Sequence, residues 1–189
     1  DTSDTVNHVY DTNTGIVTNL MLAGRGGAID GNLVATAIFE GNQGNTDLNG
    51  DGDPFDIVLH MFDSASGTIT NKGLAIRFVG DLEGNLLTPL VSEEAQAETD
   101  LNDDGDTFDS IAHILDLDSG STFNLGLAVD FLQLDVDVLA LSVIEADQGN
   151  TDMNGDGDTS DLVLVAIDIG IATETSPGQQ TQDLIDEIN

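Results

Sequence analysis

The chain has 189 residues, 3 Lys+Arg against 36 Asp+Glu, no cysteine, no tryptophan and a formal net charge of −33. That charge rules out nucleic acid or an anionic membrane surface as a direct partner unless metal ions screen it, and the missing cysteine excludes a disulfide scaffold and thiolate metal sites. With 39% hydrophobic residues the chain is too apolar for an acidic disordered tail, and no run approaches the ~18 apolar residues of a membrane span, so a folded domain with an acidic surface is expected.

In chain order, residues 1–23 read as a partial unit. A strand-length run from Asp4 ends in Asp11-x-x-Thr14-Gly15, a tight hairpin turn, and the weaker strand IVTNLMLA follows. The unit 24–75 opens with a short strand near Ala28–Asp30, turns through Asp30-Gly31-Asn32 and enters the apolar run LVATAIFE. Next come the acidic stretch DLNGDGDPFD (Asp47–Asp56), the strand DIVLHMFD, a second D-x-x-[ST]-G turn at Asp63–Gly67, and TITNKGLA. The unit 76–128 repeats this order. It has a short strand at Phe78–Leu82, LLTPLVSE, DLNDDGDTFD (Asp100–Asp109), DSIAHILD, the turn Asp116–Gly120 and STFNLGLA. The last unit, 129–175, has Phe131–Leu134, VLALSVIE, DMNGDGDTSD (Asp152–Asp161) and a final strand, then loses the turn glycine and asparagine. Residues 176–189 read as a polar C-terminal tail.

Asp47 to Asp100 is 53 residues and Asp100 to Asp152 is 52. His8, His60 and His113 fall in register, as do Asn19, Asn71 and Asn124. Glu40, Glu93 and Glu145 match too, with Gln43, Gln96 and Gln148 three residues on. Such internal repetition predicts a modular array. The predicted class is all-β: tandem four-stranded antiparallel repeats of about 52 residues, β-propeller-like, as a fragment or an open array. The chain begins with Asp1 and Asp4 matching Asp53 and Asp56, so it reads as a C-terminal part of a longer array, or as one whose missing strands come from another chain. A degenerate last unit is what a capping repeat looks like.

The strand and turn order, with D-x-x-[ST]-G between strands, resembles the blades of TolB-like and WD40-like β-propellers over nearly the whole chain. The DxNxDG start of each acidic stretch resembles the calcium loops of FG-GAP propeller repeats, as in integrin α heads. Two features depart from those families: the closing aspartate stands at position ten, where FG-GAP loops have it at nine, and no WD dipeptide occurs.

The acidic stretches carry the chemistry. Hard dications want several oxygens at ~2.3–2.6 Å, and Ca2+ accepts 6–8 of them in loose geometry. Alternation at positions 1, 3 and 5 lets a curled loop aim Asp47, Asn49 and Asp51 at one centre, with glycine at position 6 for the sharp turn. Asp53 offers a ligand at position 7, and Asp56 at position 10 closes the shell. The second and third loops repeat this set as Asp100, Asn102, Asp104, Asp106 and Asp109, and as Asp152, Asn154, Asp156, Asp158 and Asp161. Two carboxylates at ~4 Å repel by ~4 kcal/mol at an effective dielectric of ~20, so an inward-curled loop calls for a cation. The bland reading, aspartates that merely solvate a turn, fits one copy but not three with the same Asn and Gly. About one Ca2+ per complete loop is expected. Position 12 is apolar in all three (Val58, Ile111, Val163), so these are not EF-hands. Glu40, Glu93 and Glu145 read as a further ligand across the hairpin or as braces for the loop backbone, and stay outside the ligand set.

The histidines recur at one strand position, the pattern of a packing role rather than a zinc or catalytic site. No nucleophile-elbow, HExxH, GxGxxG or P-loop pattern appears, and no carboxylate pair stands out for glycoside chemistry, so the chain reads as no enzyme. Three filled sites return +6 and leave about −27, an excess that suits high salt. The expected function is an extracellular or cell-surface calcium-binding scaffold, matrix, surface-layer or filament component, adhesive or self-assembling. Its partners would be calcium ions and copies of itself or other surface proteins, with no nucleic acid and no membrane insertion. A ligand- or glycan-binding propeller is the alternative, and a propeller-based hydrolase or lyase is a weaker one. The scarcity of aromatics, one Tyr and seven Phe, weighs against a sugar platform.

Overall fold

The computed structural model describes residues 4–169 of the chain, so the predicted tail at 176–189 and the end of the last unit lie outside the described residues. Within them the protein is all-β, with no helix. The strands are β1 (Val6–Tyr10), β2 (Val17–Arg25), β3 (Ile29–Asp30), β4 (Leu33–Phe39), β5 (Ile57–Asp63), β6 (Thr68–Phe78), β7 (Leu82–Glu83), β8 (Leu86–Leu87), β9 (Leu90–Ser92), β10 (Ser110–Asp116), β11 (Thr122–Asp135), β12 (Val138–Ile144) and β13 (Leu162–Asp168). They form one antiparallel sheet whose main path runs β1-β2-β4-β5-β6-β9-β10-β11-β12-β13; β1 and β13 do not pair with each other, so it does not close.

The predicted hairpin turns form as read. At Asp63 the backbone carbonyl accepts the Gly67 N–H at 2.8 Å. One carboxylate oxygen accepts Ala65 N–H at 2.8 Å and the other the Ser66 hydroxyl at 2.7 Å. Asp11 and Asp116 repeat the pattern with Thr14 and Ser119. Hydrogen bonds from Ser66 and Thr14 hold the Asp63 and Asp11 carboxyls below their usual range.

Two predicted boundaries differ. The run LLTPLVSE is two strands, β8 and β9, because Pro89 has no N–H to give a ladder. The weaker strand of each unit also runs past its predicted end, β2 to Arg25, β6 to Phe78 and β11 to Asp135; β11 takes in the short strand read at Phe131–Leu134, whereas the one near Ala28–Asp30 stays separate as β3. β6 pairs with β5 through its first half (Thr70 with Met61, Ala75 with Val58) and with β9 through its end (Ile76 with Val91, Phe78 with Leu90). β2 does the same between β1 and β4, and β11 between β10 and β12. Neighbouring units therefore share a strand.

Each shared strand carries a bulge where the repeated polar residues gather. His60 pairs with Asn71 and Val58 with Ala75, so one residue of β5 faces three of β6. His8 with Asn19 and His113 with Asn124 repeat this. The bulged residue has positive φ, 67° at Gly73, 64° at Gly126 and 56° at Met21. Asn71 Oδ1 accepts the Gly73 N–H at 2.7 Å. The Gln96 carboxamide accepts from Ala75 N–H at 2.7 Å and donates to Gly73 O at 3.4 Å. Gln43 and Gln148 do the same at Ala23 and Ala128. The glutamine thus stands in for a missing strand residue and satisfies the groups that the bulge orphans. The histidines serve packing: Nδ1 of His60 and His113 donates to the carbonyl two residues back, at 3.3 and 3.0 Å, and burial lowers both pKa values.

The apolar faces bury in three clusters. Leu20, Ile38 and Phe62 pack in one, Leu59, Ile76, Leu87 and Val91 in the second, and Ile114, Leu139 and Leu141 in the third. A fully buried side chain of this size contributes about 2 kcal/mol, so these clusters, and not the loops alone, hold the sheet together.

Candidate metal centres

Each acidic loop leaves the end of one strand and returns at the start of the next, and a glutamate stands at the exit. Glu40, Glu93 and Glu145 follow β4, β9 and β12 directly, and each is 0% exposed. Their backbone N–H groups donate to the carbonyls of Asp56, Asp109 and Asp161 at 3.0, 3.1 and 3.1 Å. Their side chains clamp the two ends of the loop. Glu93 accepts the Leu101 N–H at 2.6 Å on one oxygen and the Asp109 N–H at 3.1 Å on the other. Glu40 takes the N–H groups of Leu48 and Asp56, and Glu145 those of Met153, Asn154 and Asp161. A buried carboxylate is tolerable here because charge-assisted bonds replace its water.

The first half of each loop is its frame. Asp47 accepts Gly50 N–H at 2.6 Å on one oxygen and Gly52 N–H at 3.1 Å on the other. Asp100 and Asp152 close their loops in the same manner onto Gly105 and Gly157. These position-six glycines sit at φ 109°, 105° and 105°, a region L side chains rarely adopt. Asp51, Asp104 and Asp156 each accept the N–H two residues on at 3.1 to 3.2 Å. The shared strand anchors the frame: Asn71 and Asn124 donate Nδ2–H to the carbonyls of Leu48 and Leu101, both at 2.7 Å.

The second half, together with the exit glutamate, converges. One carboxylate oxygen from each of Glu40, Asp53 and Asp56 lies within 4.8 Å of the others, and the sets Glu93–Asp106–Asp109 and Glu145–Asp158–Asp161 do likewise. Of the predicted ligands, positions seven and ten are therefore brought together, and position five is close: Asp51 presses on Asp56 by hydrogen bond and charge. Asp47, Asp100 and Asp152 serve the backbone. Asn49 and Asn154 turn their amides onto Asp56 Oδ2 and Asp161 Oδ2 at 3.1 and 3.0 Å. The glutamates are the residues sequence reasoning set aside. Their repetition at a fixed distance ahead of the loop was the available signal; full burial beside two aspartates was not readable from it.

Electrostatics marks the same place. Burial, followed by the nearness of Asp51 and Asp53, pushes the Asp56 carboxyl up to about 7. Burial and the charges of Asp147, Asp104, Asp106 and Glu93 do the same to Asp109, also to about 7. Asp109 is 8% exposed, and its Oδ2 has no hydrogen-bond partner. A buried carboxylate oxygen without a donor is costly unless a proton or a cation meets it. The donor set is oxygen only, carboxylate-rich and unaccompanied by any Lys or Arg between residue 78 and the C-terminus; it fits a hard divalent cation and not a thiolate or imidazole metal.

No protein-family model matches the chain, and no curated protein matches it either.

Proposed function

We propose that the protein is a secreted or cell-surface structural repeat protein, a scaffold, matrix, surface-layer or filament component, whose loops are stabilised by Ca2+. The observation that carries this reading is the threefold recurrence of the Glu–Asp–Asp cluster at the loop closures. The clusters sit where each loop closes onto its two flanking strands, so a bound ion would hold those strands together, and no catalytic role is proposed. Of the two forms expected, closed propeller and open array, the unclosed sheet and its shared strands favour the open array of about 52-residue units. The test is chelation. A site loaded at about 100 times its Kd adds ~2.7 kcal/mol, worth ~5–10 °C in a chain of this size. Removing Ca2+ with excess chelator should therefore lower the Tm by at least that much and expose the loops to protease. An unchanged Tm and digestion pattern would sink the proposal.

A ligand-binding role has one observation in its favour. A cavity of about 410 Å3 is lined by Arg25, Arg77, Phe39, Phe78, Ile57 and Val79, among other residues. It thus gathers two of the three basic residues of the chain, and the Arg25 guanidinium lies 4.9 Å from the Phe39 ring centre. A screen of acidic glycans and small carboxylates with no hits would remove that reading.

A further inference from the structure

We propose that the second acidic loop binds its cation jointly with the following unit, Asp147 serving as a ligand, so that the ion joins two neighbouring units. The inference rests on the metal reading above and adds to it a residue from outside the loop. Asp147 lies in the turn after β12, two residues beyond the buried Glu145. That turn is sewn to the second loop at two points. Asn102 Nδ2–H donates to the Asp147 carbonyl at 2.8 Å, and the Gly149 N–H donates to Asp104 Oδ2 at 3.2 Å. The Asp147 side chain is half-buried, and its charge acts directly on Asp104, Asp106 and Asp109.

The orphaned oxygen gives the second, independent pointer. In the first and third loops the position-three asparagine covers the closing aspartate. Asn49 also donates to the Ala95 carbonyl of the neighbouring unit, at 2.8 Å; Asn102 keeps the equivalent bond to Asp147 but does not cover its aspartate, and Asp109 Oδ2 is left buried and bare. Glu93, Asp106 and Asp109 thus converge, with Asp104 and, across the unit boundary, Asp147 tied to them by the two hydrogen bonds and by charge. A hard dication with six to eight oxygens in its shell is the group that such a set accommodates. The equivalent of Asp147 at the first loop is Ala95, where Glu94 and Glu98 of the next unit line a cavity with Asp51, Asp53 and Asp56 instead, so a ligand at this turn position belongs to the second loop, and the first loop is the internal control.

The experiment is calorimetric titration of the full chain with Ca2+, paired with Tb3+ luminescence decay, for the wild type and for Asp147→Asn. The variant should lose roughly tenfold or more in affinity at one of the sites, with one more water on the Tb3+ ion there and the remaining sites unchanged. In chelator the variant should melt at or above the wild-type temperature, since a repelling charge has gone; this separates a lost ligand from a damaged fold. A variant isotherm and Tb3+ decay that match the wild type overturn the proposal while leaving Ca2+ binding intact. A wild-type chain that takes up no Ca2+ overturns both.

Discussion

Asp56 and Asp109 close equivalent loops, and both are held near pH 7 instead of the ordinary carboxylate range. The unfolded chain releases those protons near 4, so between about pH 4 and 7 the folded, metal-free protein binds more protons than the unfolded one. Its stability from these two groups is full below that window and is lost as the pH rises through 7. Calcium demands the deprotonated forms, so its affinity rises over the same window. Urea denaturation should therefore find the chelated protein more stable at pH 5 than at pH 8, and the calcium-saturated protein the reverse. The same ordering in both conditions would show that these carboxylates do not meet the ion. Asp11 and Asp63 behave oppositely, because turn hydrogen bonds lower their pKa values, but at pH 5 they are already ionised; His60 and His113, lowered by burial, also oppose the two aspartates between pH 5 and 8, and they do so equally with and without calcium.

At the scale of elements, the bulge and the loop form one device. Asn124 lies in β11, far from any carboxylate of the cluster in sequence, yet it holds the Leu101 carbonyl and caps Gly126 N–H. Removing one such bond costs about 1 kcal/mol, which is about fivefold in affinity if it is felt wholly at the ion. Asn124→Ala should therefore weaken Tb3+ binding at the second loop severalfold while the first and third loops titrate as before. This device also shows what pattern reading reaches. The hairpin turns and the acidic loops were legible because each depends on a few consecutive residues: Asp63, Ser66 and Gly67 make a turn among themselves. The bracing role of Glu93 was legible from its repetition ahead of the loop, but its place beside two aspartates was not, since packing alone decides it; the roles of Asn71 and Gln96 were not legible because each acts on backbone twenty or so residues away. The extra length of β2, β6 and β11 escaped for the same reason, since the bulge interrupts the alternation ahead of it.

For the whole molecule the dominant quantity is charge. With −33 on the chain, and carboxylates grouped at the loops, self-repulsion opposes compactness wherever cations are absent. Raising NaCl shortens the Debye length from ~10 Å at 0.1 M to ~3 Å at 1 M, so the Tm of the chelated protein should climb steadily over that range. The calcium-loaded protein should respond less, its densest charges being already neutralised; an equal response in both states would place the repulsion elsewhere on the surface. Composition showed that acidity, whereas its division between loop and surface needed the fold: Asp103 adds to the second loop but belongs to no converging set. The shared strands carry a different consequence. Because β6 pairs with β5 through one part and with β9 through its end, a break inside it would take a ladder partner from both neighbours at once, whereas a nick in an acidic loop leaves every ladder whole.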